Sequence, residues 1–334
     1  MSEGSTTYSR DRGDGIPPAV WLPAIRTGTG TDAFTETLAD SLKRRGLQAE
    51  ISWLPHQAEV APWAVPVPQA PQWANIAHVN TWLPKRFLPG GLPIVATLHH
   101  CVQDEALRPY KSWGQRLYHR LWVTPMERKV FARADTVTAV SCYSAECVKR
   151  IFGLSEVHVV YNGVSSSFFK PVDRTEAHRP FRLLFVGSWS RRKGVDLLPA
   201  IMERLGPEYT LHCTGTINRS LLKTDPPDNM LELGRIPDTK GMISLYEQSD
   251  ALLFPTRLEG FGLVAAEAQA CGIPVVATRC SSLPEVVEDG VTGLLCPMDD
   301  VEAFTEAIRR LASSSELWRA MGREASRRIA RCFN

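Results

Sequence analysis

The stretch Leu252 to Glu267, LLFPTRLEGFGLVAAE, constrains this chain more than any other. Ala251–Phe254 is an apolar run of strand length, closed by Pro255. A short loop carries Glu259. Gly260-Phe261-Gly262 then opens a segment of good helix formers from Leu263 to Ala270, which Gly272 and Pro274 stop. A glycine-bearing helix start is an anion site in waiting, because its first N–H groups lack intrahelical partners and carry the positive end of the dipole. Gly260, Phe261, Gly262 and Leu263 are therefore candidates to hold a diphosphate. Glu267 lies roughly 7 Å further along the axis, at about 1.5 Å per residue, in an otherwise apolar helix. A carboxylate there is costly unless it accepts hydrogen bonds, and a ribose diol offers two donors. The plainer alternative is a packed strand–turn–helix with solvent-facing glutamates.

The sentence around this stretch narrows the choice. Seven residues separate Glu259 from Glu267, and Ala270-Cys271-Gly272-Ile273-Pro274-Val275-Val276-Ala277-Thr278 follows. Leu283-Pro284-Glu285-Val286-Val287 and Asp289-Gly290-Val291-Thr292-Gly293-Leu294-Leu295 come next. This closely resembles the donor-binding half of the retaining nucleotide-sugar glycosyltransferases of family GT4. With weaker stretches, the resemblance runs from about Pro18 onward. It implies an α/β protein of GT-B fold, with two Rossmann-like doubly wound parallel sheets facing a cleft. The expected division is a disordered lead-in over 1–15, an acceptor-binding domain over 16–172, a linker over 173–180 and a nucleotide-sugar-binding domain over 181–334.

Length and charge agree with a two-core soluble protein. The chain has 334 residues and a formal charge of +2, which argues against a dedicated nucleic-acid binder. The first fifteen residues are polar and lack the apolar core of a secretory signal. Eight cysteines are scattered without a Cys-x-x-Cys pair. They read as free thiols in a reducing cytosol, with no structural zinc site.

The first half shows βαβ grammar. Ala19–Ile25 is a strand, Arg26 to Ala33 a glycine turn opening a helix to about Arg45, and Glu50–Leu54 a second strand. Gly28-Thr29-Gly30-Thr31-Asp32-Ala33 also fits a dinucleotide-binding pattern. That fingerprint expects an acid at the tip of the second strand, where Trp53 or Leu54 stands; Glu50 comes too early. In the resembling family a glycine loop here lies beneath the donor sugar and diphosphate, and Gly28 and Gly30 match it; a tight turn that needs glycine remains the alternative. Pro55 to Trp73 reads as an irregular loop, either an acceptor-side wall or a surface excursion.

Pro93–Leu98 is a strand ending at His99-His100, beyond the carboxyl end where α/β sheets bind ligands. The resemblance assigns His99 a contact with the transferred sugar. His100 stands where the family usually has aspartate. Residues 113–133 interleave Trp113, Leu117, Tyr118, Leu121 and Trp122 with Arg116, His119, Arg120, Arg128, Lys129 and Arg133. That pattern suits either a helix at an anionic membrane surface or a helix kinked at Pro125 with a solvated basic face. A helix over 144–152, a strand over 157–161 and a turn at Asn162-Gly163 follow.

In the second half, a strand from Arg182 to Val186 runs into Gly187-Ser188-Trp189-Ser190-Arg191-Arg192-Lys193-Gly194. A cationic loop at a strand-to-helix junction can hold a leaving diphosphate, lysine as a point charge and arginine as a fork. Lys193 matches the family's lysine. Ser188 stands at the family's arginine position, with Arg191 or Arg192 as a substitute reaching in. Ile236, after Gly234, is the candidate to meet the base. Glu285 is expected to cap its own helix start. Members of the resembling family usually continue with a helix that crosses back to the first domain; the sequence stops at Asn334 ahead of it, so the expectation is either a naturally short enzyme or a cut C-terminus.

Together these imply a retaining hexosyltransferase using a nucleoside diphosphate sugar as co-substrate, with no cofactor and no metal, since no Asp-x-Asp metal motif is present. His99, Lys193 and Glu259 are the expected catalytic residues. Ser188, Arg192, Ile236 and Glu267 join the glycines in donor binding. The expected acceptor is a glycan or lipid-linked glycan of cell-envelope or exported polysaccharide synthesis, lipopolysaccharide included. The expected place is the cytoplasm, peripherally at the inner face of the membrane. A nucleotide-sugar 2-epimerase of the same fold and a non-catalytic nucleotide-sugar-binding protein are the alternatives.

Overall fold

The computed structural model describes residues 16–28, 30–165, 168–171 and 174–333. The expected lead-in over 1–15 and Thr29 of the glycine turn lie outside them. The first sheet is built from β1 (Ala19–Ile25), β2 (Gln48–Leu54), β3 (Ile76–Asn80), β4 (Ile94–Leu98), β5 (Thr136–Ala139) and β6 (His158–Val159), in the order β2-β1-β3-β4-β5-β6. β1 pairs parallel with β2 and β3, and β5 parallel with β6. All seven residues of β1 are buried, as befits a parallel strand covered on both faces. Helix α1 (Gly30–Arg44) links β1 to β2.

The expected strand over 157–161 shrinks to the two residues of β6, both exposed. The stretch 113–133 is also corrected. α2 (Trp113–Tyr118) passes through one π-helical turn, His119–Val123, into α3 (Thr124–Arg133). Pro125 falls in the first turn of α3, where a missing N–H costs little, and the Thr124 hydroxyl donates to the His119 carbonyl at 2.8 Å. The irregularity is thus a wide turn ahead of the proline. α4 (Cys142–Phe152) begins on a Ser141 cap, whose Oγ accepts from Ser144 N at 3.0 Å.

The second sheet runs β12-β11-β10-β7-β8-β9, from β7 (Phe181–Phe185), β8 (Tyr209–Thr214), β9 (Met230–Gly234), β10 (Ala251–Phe254), β11 (Val275–Thr278) and β12 (Gly293–Cys296). Every residue of β10, β11 and β12 is buried. Helices α5 (Leu198–Leu205), α6 (Thr239–Glu247), α7 (Leu263–Ala270), α8 (Leu283–Val286), α9 (Val301–Ser313) and α10 (Ser315–Cys332) accompany it. One core gathers Leu183, Phe185, Leu211, Leu253, Ile201, Phe304, Ile308 and Trp318. A second packs Leu252, Phe254, Phe261, Ala265, Ala266, Val286 and Phe333 around α7. The strap before β7 is tied down by buried Asp250, which accepts from Arg182 N at 2.8 Å and His178 N at 3.2 Å.

By contact density the chain forms two compact units. One holds residues up to 96 with 129–135; the other holds 97–128 with 136–334. The histidines after β4 and the whole of α4 thus belong to the same unit as the second sheet. Among the described residues no helix is long and apolar enough to cross a membrane.

Candidate functional site

The loop between β10 and α7 is buried from Pro255 to Gly262. Two glycines shape it. A Cβ on Gly260 would lie 1.9 Å from the His99 carbonyl oxygen, so the two backbones meet with no room for a side chain. Gly262 occupies the N-cap of α7 at φ 95, and no side chain caps that helix. Serines of the α4 start brace the same loop from the far side: Ser141 Oγ and Ser144 Oγ donate to the Gly260 carbonyl at 2.6 and 3.0 Å. Phe261 is buried with its ring against Tyr161 and Phe333, at 6.1 and 5.6 Å between centroids. Only its backbone is left at the helix mouth.

Glu259 is held through its backbone N–H, its carbonyl and one carboxylate oxygen. Its carboxylate accepts from Lys193 Nζ at 2.7 Å and Thr256 Oγ1 at 2.7 Å, with Arg192 Nη1 at 3.5 Å. Its N–H donates to Ser281 Oγ at 2.9 Å, and its carbonyl accepts from Ser282 Oγ at 3.1 Å. Burial works against the charged form, but the Lys193 and Arg192 charges and the two short hydrogen bonds hold the carboxyl below its ordinary range. Lys193 is buried, 4.9 Å over the Phe254 ring. Its turn closes at Gly194, at φ 71, where a Cβ would lie 2.0 Å from the Pro255 carbonyl oxygen.

Of the two arginines in that loop, Arg192 is the one beside Glu259; it also donates to the Leu258 carbonyl at 2.8 Å. Arg191 and Ser188 are exposed. Ser190 Oγ is buried in the same loop with no partner among the described residues. Arg257 is a strut: it forks onto Asp196 at 2.7 and 2.9 Å and reaches Asp299 at 2.6 Å. Those bonds keep its guanidinium charged despite burial.

His100 lies close enough to Arg192, Lys111, Lys193 and Glu259 to feel their charges. Burial first, then the cations, push its pKa down to about 4, so the ring is neutral at physiological pH. Glu267 sits further along α7 and accepts from Tyr246 OH at 2.9 Å. Burial lifts its pKa to about 7, with the tyrosine opposing. Ile236 lies past Gly234 and packs over the start of α6, where a Cβ on Gly241 would meet its Cγ2 at 2.9 Å.

Glu285 requires a correction. It does not cap its own helix; it accepts from Cys142 N at 2.7 Å and Tyr143 N at 2.9 Å, at the start of α4. α8 is a single turn of four residues, whereas α4 has eleven and a full dipole to satisfy.

The Gly28–Gly30 turn belongs to the other unit. Gly28 is at φ 71, and neither glycine has an atom within 4 Å of its Cβ position. Buried Asp32 accepts from Thr27 N at 3.0 Å, Thr27 Oγ1 at 2.8 Å and Gly28 N at 2.8 Å. The structure therefore brings His99, His100, Arg192, Lys193, Glu259 and Gly260–Leu263 together. Sequence reasoning missed Thr256, Ser281, Ser282, Ser141 and Ser144. A serine pair between a buried strand and a Pro-Glu helix start was the available signal for two of them.

Residues 168–328 match the family model described as glycosyl transferases group 1, and residues 70–168 match glycosyltransferase family 4. An uncharacterised 41.2 kDa protein of the cps region of Klebsiella pneumoniae is 32% identical over 59% of this chain. That match covers 56% of the relative, so the chain spans little more than half of it. The D-inositol 3-phosphate glycosyltransferase of Actinosynnema mirum is 28% identical, over 91% of this chain and 88% of that one. Among solved structures, Anabaena HepE in complex with UDP and glucose superposes with a TM-score of 0.68 at 17% identity, over 95% of this chain and 96% of that one. That likeness is one of fold.

Proposed function

The chain belongs to the family 4 glycosyltransferases of GT-B fold, and on that premise we propose that it moves a sugar from a nucleoside diphosphate sugar to a glycan or glycolipid with retention of configuration. One observation carries this: the uncapped, glycine-opened start of α7, with the Lys193–Glu259 pair and Arg192 beside it. The diphosphate occupies that mouth, on backbone N–H groups and on the charges of Lys193 and Arg192. Ser188 and Ser190 lie along the same loop as further hydroxyl donors. As the glycosidic bond breaks, negative charge grows on the leaving phosphate, and fixed dipoles and cations stabilise it without reorganising. Glu259 orients sugar hydroxyls; His99 supports the sugar. Glu267 takes the ribose and Ile236 flanks the base. Gly28 and Gly30 contribute shape under the sugar, since Asp32 has taken the amides of Thr27 and Gly28.

Uracil is the first base to test, because the Anabaena neighbour was solved with UDP. No metal takes part in this scheme, so EDTA leaves turnover unchanged. The acceptor belongs to cell-envelope or exported polysaccharide synthesis, which places the protein in the cytoplasm at the membrane's inner face. The exposed face of Trp113, Leu117 and Leu121, spaced four apart and 75%, 40% and 63% accessible, supports that place. Arg116 and Arg120 beside it are exposed and suit anionic lipid.

The test is a screen of UDP-, GDP- and dTDP-sugars by thermal shift, since a native-state ligand raises the melting point. Turnover is then measured with the stabilising donor. Slow donor hydrolysis or transfer, abolished by Glu259→Ala, is the expected result. Epimerised nucleotide sugar formed without acceptor identifies an epimerase instead. Binding with neither hydrolysis nor transfer identifies a non-catalytic binder.

A further inference from the structure

The turn after β11 adopts a glycine-type backbone without using glycine. Ser281 sits at φ 46, in the left-handed region where a Cβ crowds the neighbouring carbonyl. Glycine would occupy that position freely, so the serine is held there by contacts its hydroxyl makes. Ser281 Oγ accepts from Glu259 N at 2.9 Å, and Ser282 Oγ donates to the Glu259 carbonyl at 3.1 Å. The Glu259 peptide is buried and outside any helix or strand, where unpaired backbone groups are costly. The two serines supply partners for both its polar atoms.

The turn itself is fixed at both ends. Arg279 N donates to the Cys296 carbonyl at 2.7 Å and Leu283 N to the Cys280 carbonyl at 3.1 Å. Cys280 Sγ donates to the Thr256 carbonyl at 3.3 Å. A backbone held off its preferred basin persists only where its surroundings over-determine it, and these bonds do so.

We infer that Ser281 is a positioning residue for the transfer reaction: its hydroxyl fixes the backbone of Glu259, so that the carboxylate stands at one height against the donor sugar. The inference rests on the sugar-orienting role of Glu259 proposed above. Lys193 and Thr256 set the direction of the carboxylate; Ser281 sets the origin from which it extends. Glycine at 281 would relax the turn and drop the bond.

Two variants separate this from a merely structural role. Ser281→Ala keeps the Cβ and loses the hydroxyl. Ser281→Gly loses both and frees the backbone. With the donor that wild type turns over, both variants should lose kcat about five- to tenfold while KM stays within about twofold, the pattern of an interaction made in the transition state. The glycine variant should melt no lower than wild type and remain slow. Full kcat in Ser281→Gly overturns the inference, as does a rise in KM with kcat unchanged. A wild type that turns over no donor fails the function proposed above and takes this inference with it. An active wild type beside a fully active Ser281→Gly fails the inference alone.

Discussion

Two turns in this molecule share one grammar and differ in what they leave available. Each follows a buried parallel strand, each contains two glycines, and each opens a helix. At the start of α1, the Asp32 carboxylate folds back and takes the amides of Thr27 and Gly28. At the start of α7 no side chain caps the helix, and the nearby carboxylate, Glu259, turns to Lys193 instead. Glycine at a helix start therefore does not by itself make an anion site. The turn amides ahead of α1 are satisfied internally by an acid two positions beyond Gly30. The start of α7 has no side-chain cap, and Lys193 and Arg192 lie beside it. The glycines differ as well: Gly28 and Gly30 face empty space, whereas Gly260 lies against the His99 carbonyl.

The comparison breaks most readily at Gly260. Gly260→Ala forces its methyl into the His99 carbonyl, an overlap costing about 3 kcal/mol or more. A fall in melting temperature of roughly 10 °C is expected, read by calorimetry. A stable, active alanine variant would show that the close approach is not required.

Glu267→Gln should come next. The native state of wild type holds the Glu267 proton up to about pH 7, whereas the unfolded chain releases it near the ordinary carboxylate value. Native protein thus binds more protons across that window, and stability falls as pH rises through it, by about 1–3 kcal/mol. Denaturant titrations from pH 5 to 8 should show that slope in wild type and a flatter one in Glu267→Gln. Equal slopes would remove the buried-carboxylate account.

Asp32→Ala strips the first turn of its acceptor and should cost about 1–2 kcal/mol. Nucleotide affinity, measured by calorimetry, should stay within about twofold. A marked gain in affinity would mean that the first turn is a masked anion site, and the contrast would fail. Gly30→Ala is the smallest change: with nothing near its Cβ it should be neutral or stabilise by about 0.5–1 kcal/mol, read by calorimetry.

What was legible in the sequence is what local chemistry decides. The buried run of β10, the stop at Pro255 and the helix from Leu263 follow from composition and punctuation alone. The Glu259–Glu267 spacing carried the family resemblance. What stayed hidden depends on partners distant in sequence. Nothing near Glu285 indicates that it reaches back about 140 residues to the amides of Cys142 and Tyr143. Lys193 reads as a free cation until the fold sets Glu259 against it, 66 positions away. The π turn of 119–123 was hidden for a different reason: Pro125 attracted the whole explanation for an irregularity that begins before it.

The bare contact of residue 260 with the peptide of His99 limits how this part of the molecule can vary. Two main chains touching directly act as a fixed joint, which no conservative side-chain swap can lengthen or tilt. Any side chain at 260 must first displace the His99 peptide, so sequence variation in this unit is steered away from the joint and onto the side chains around it.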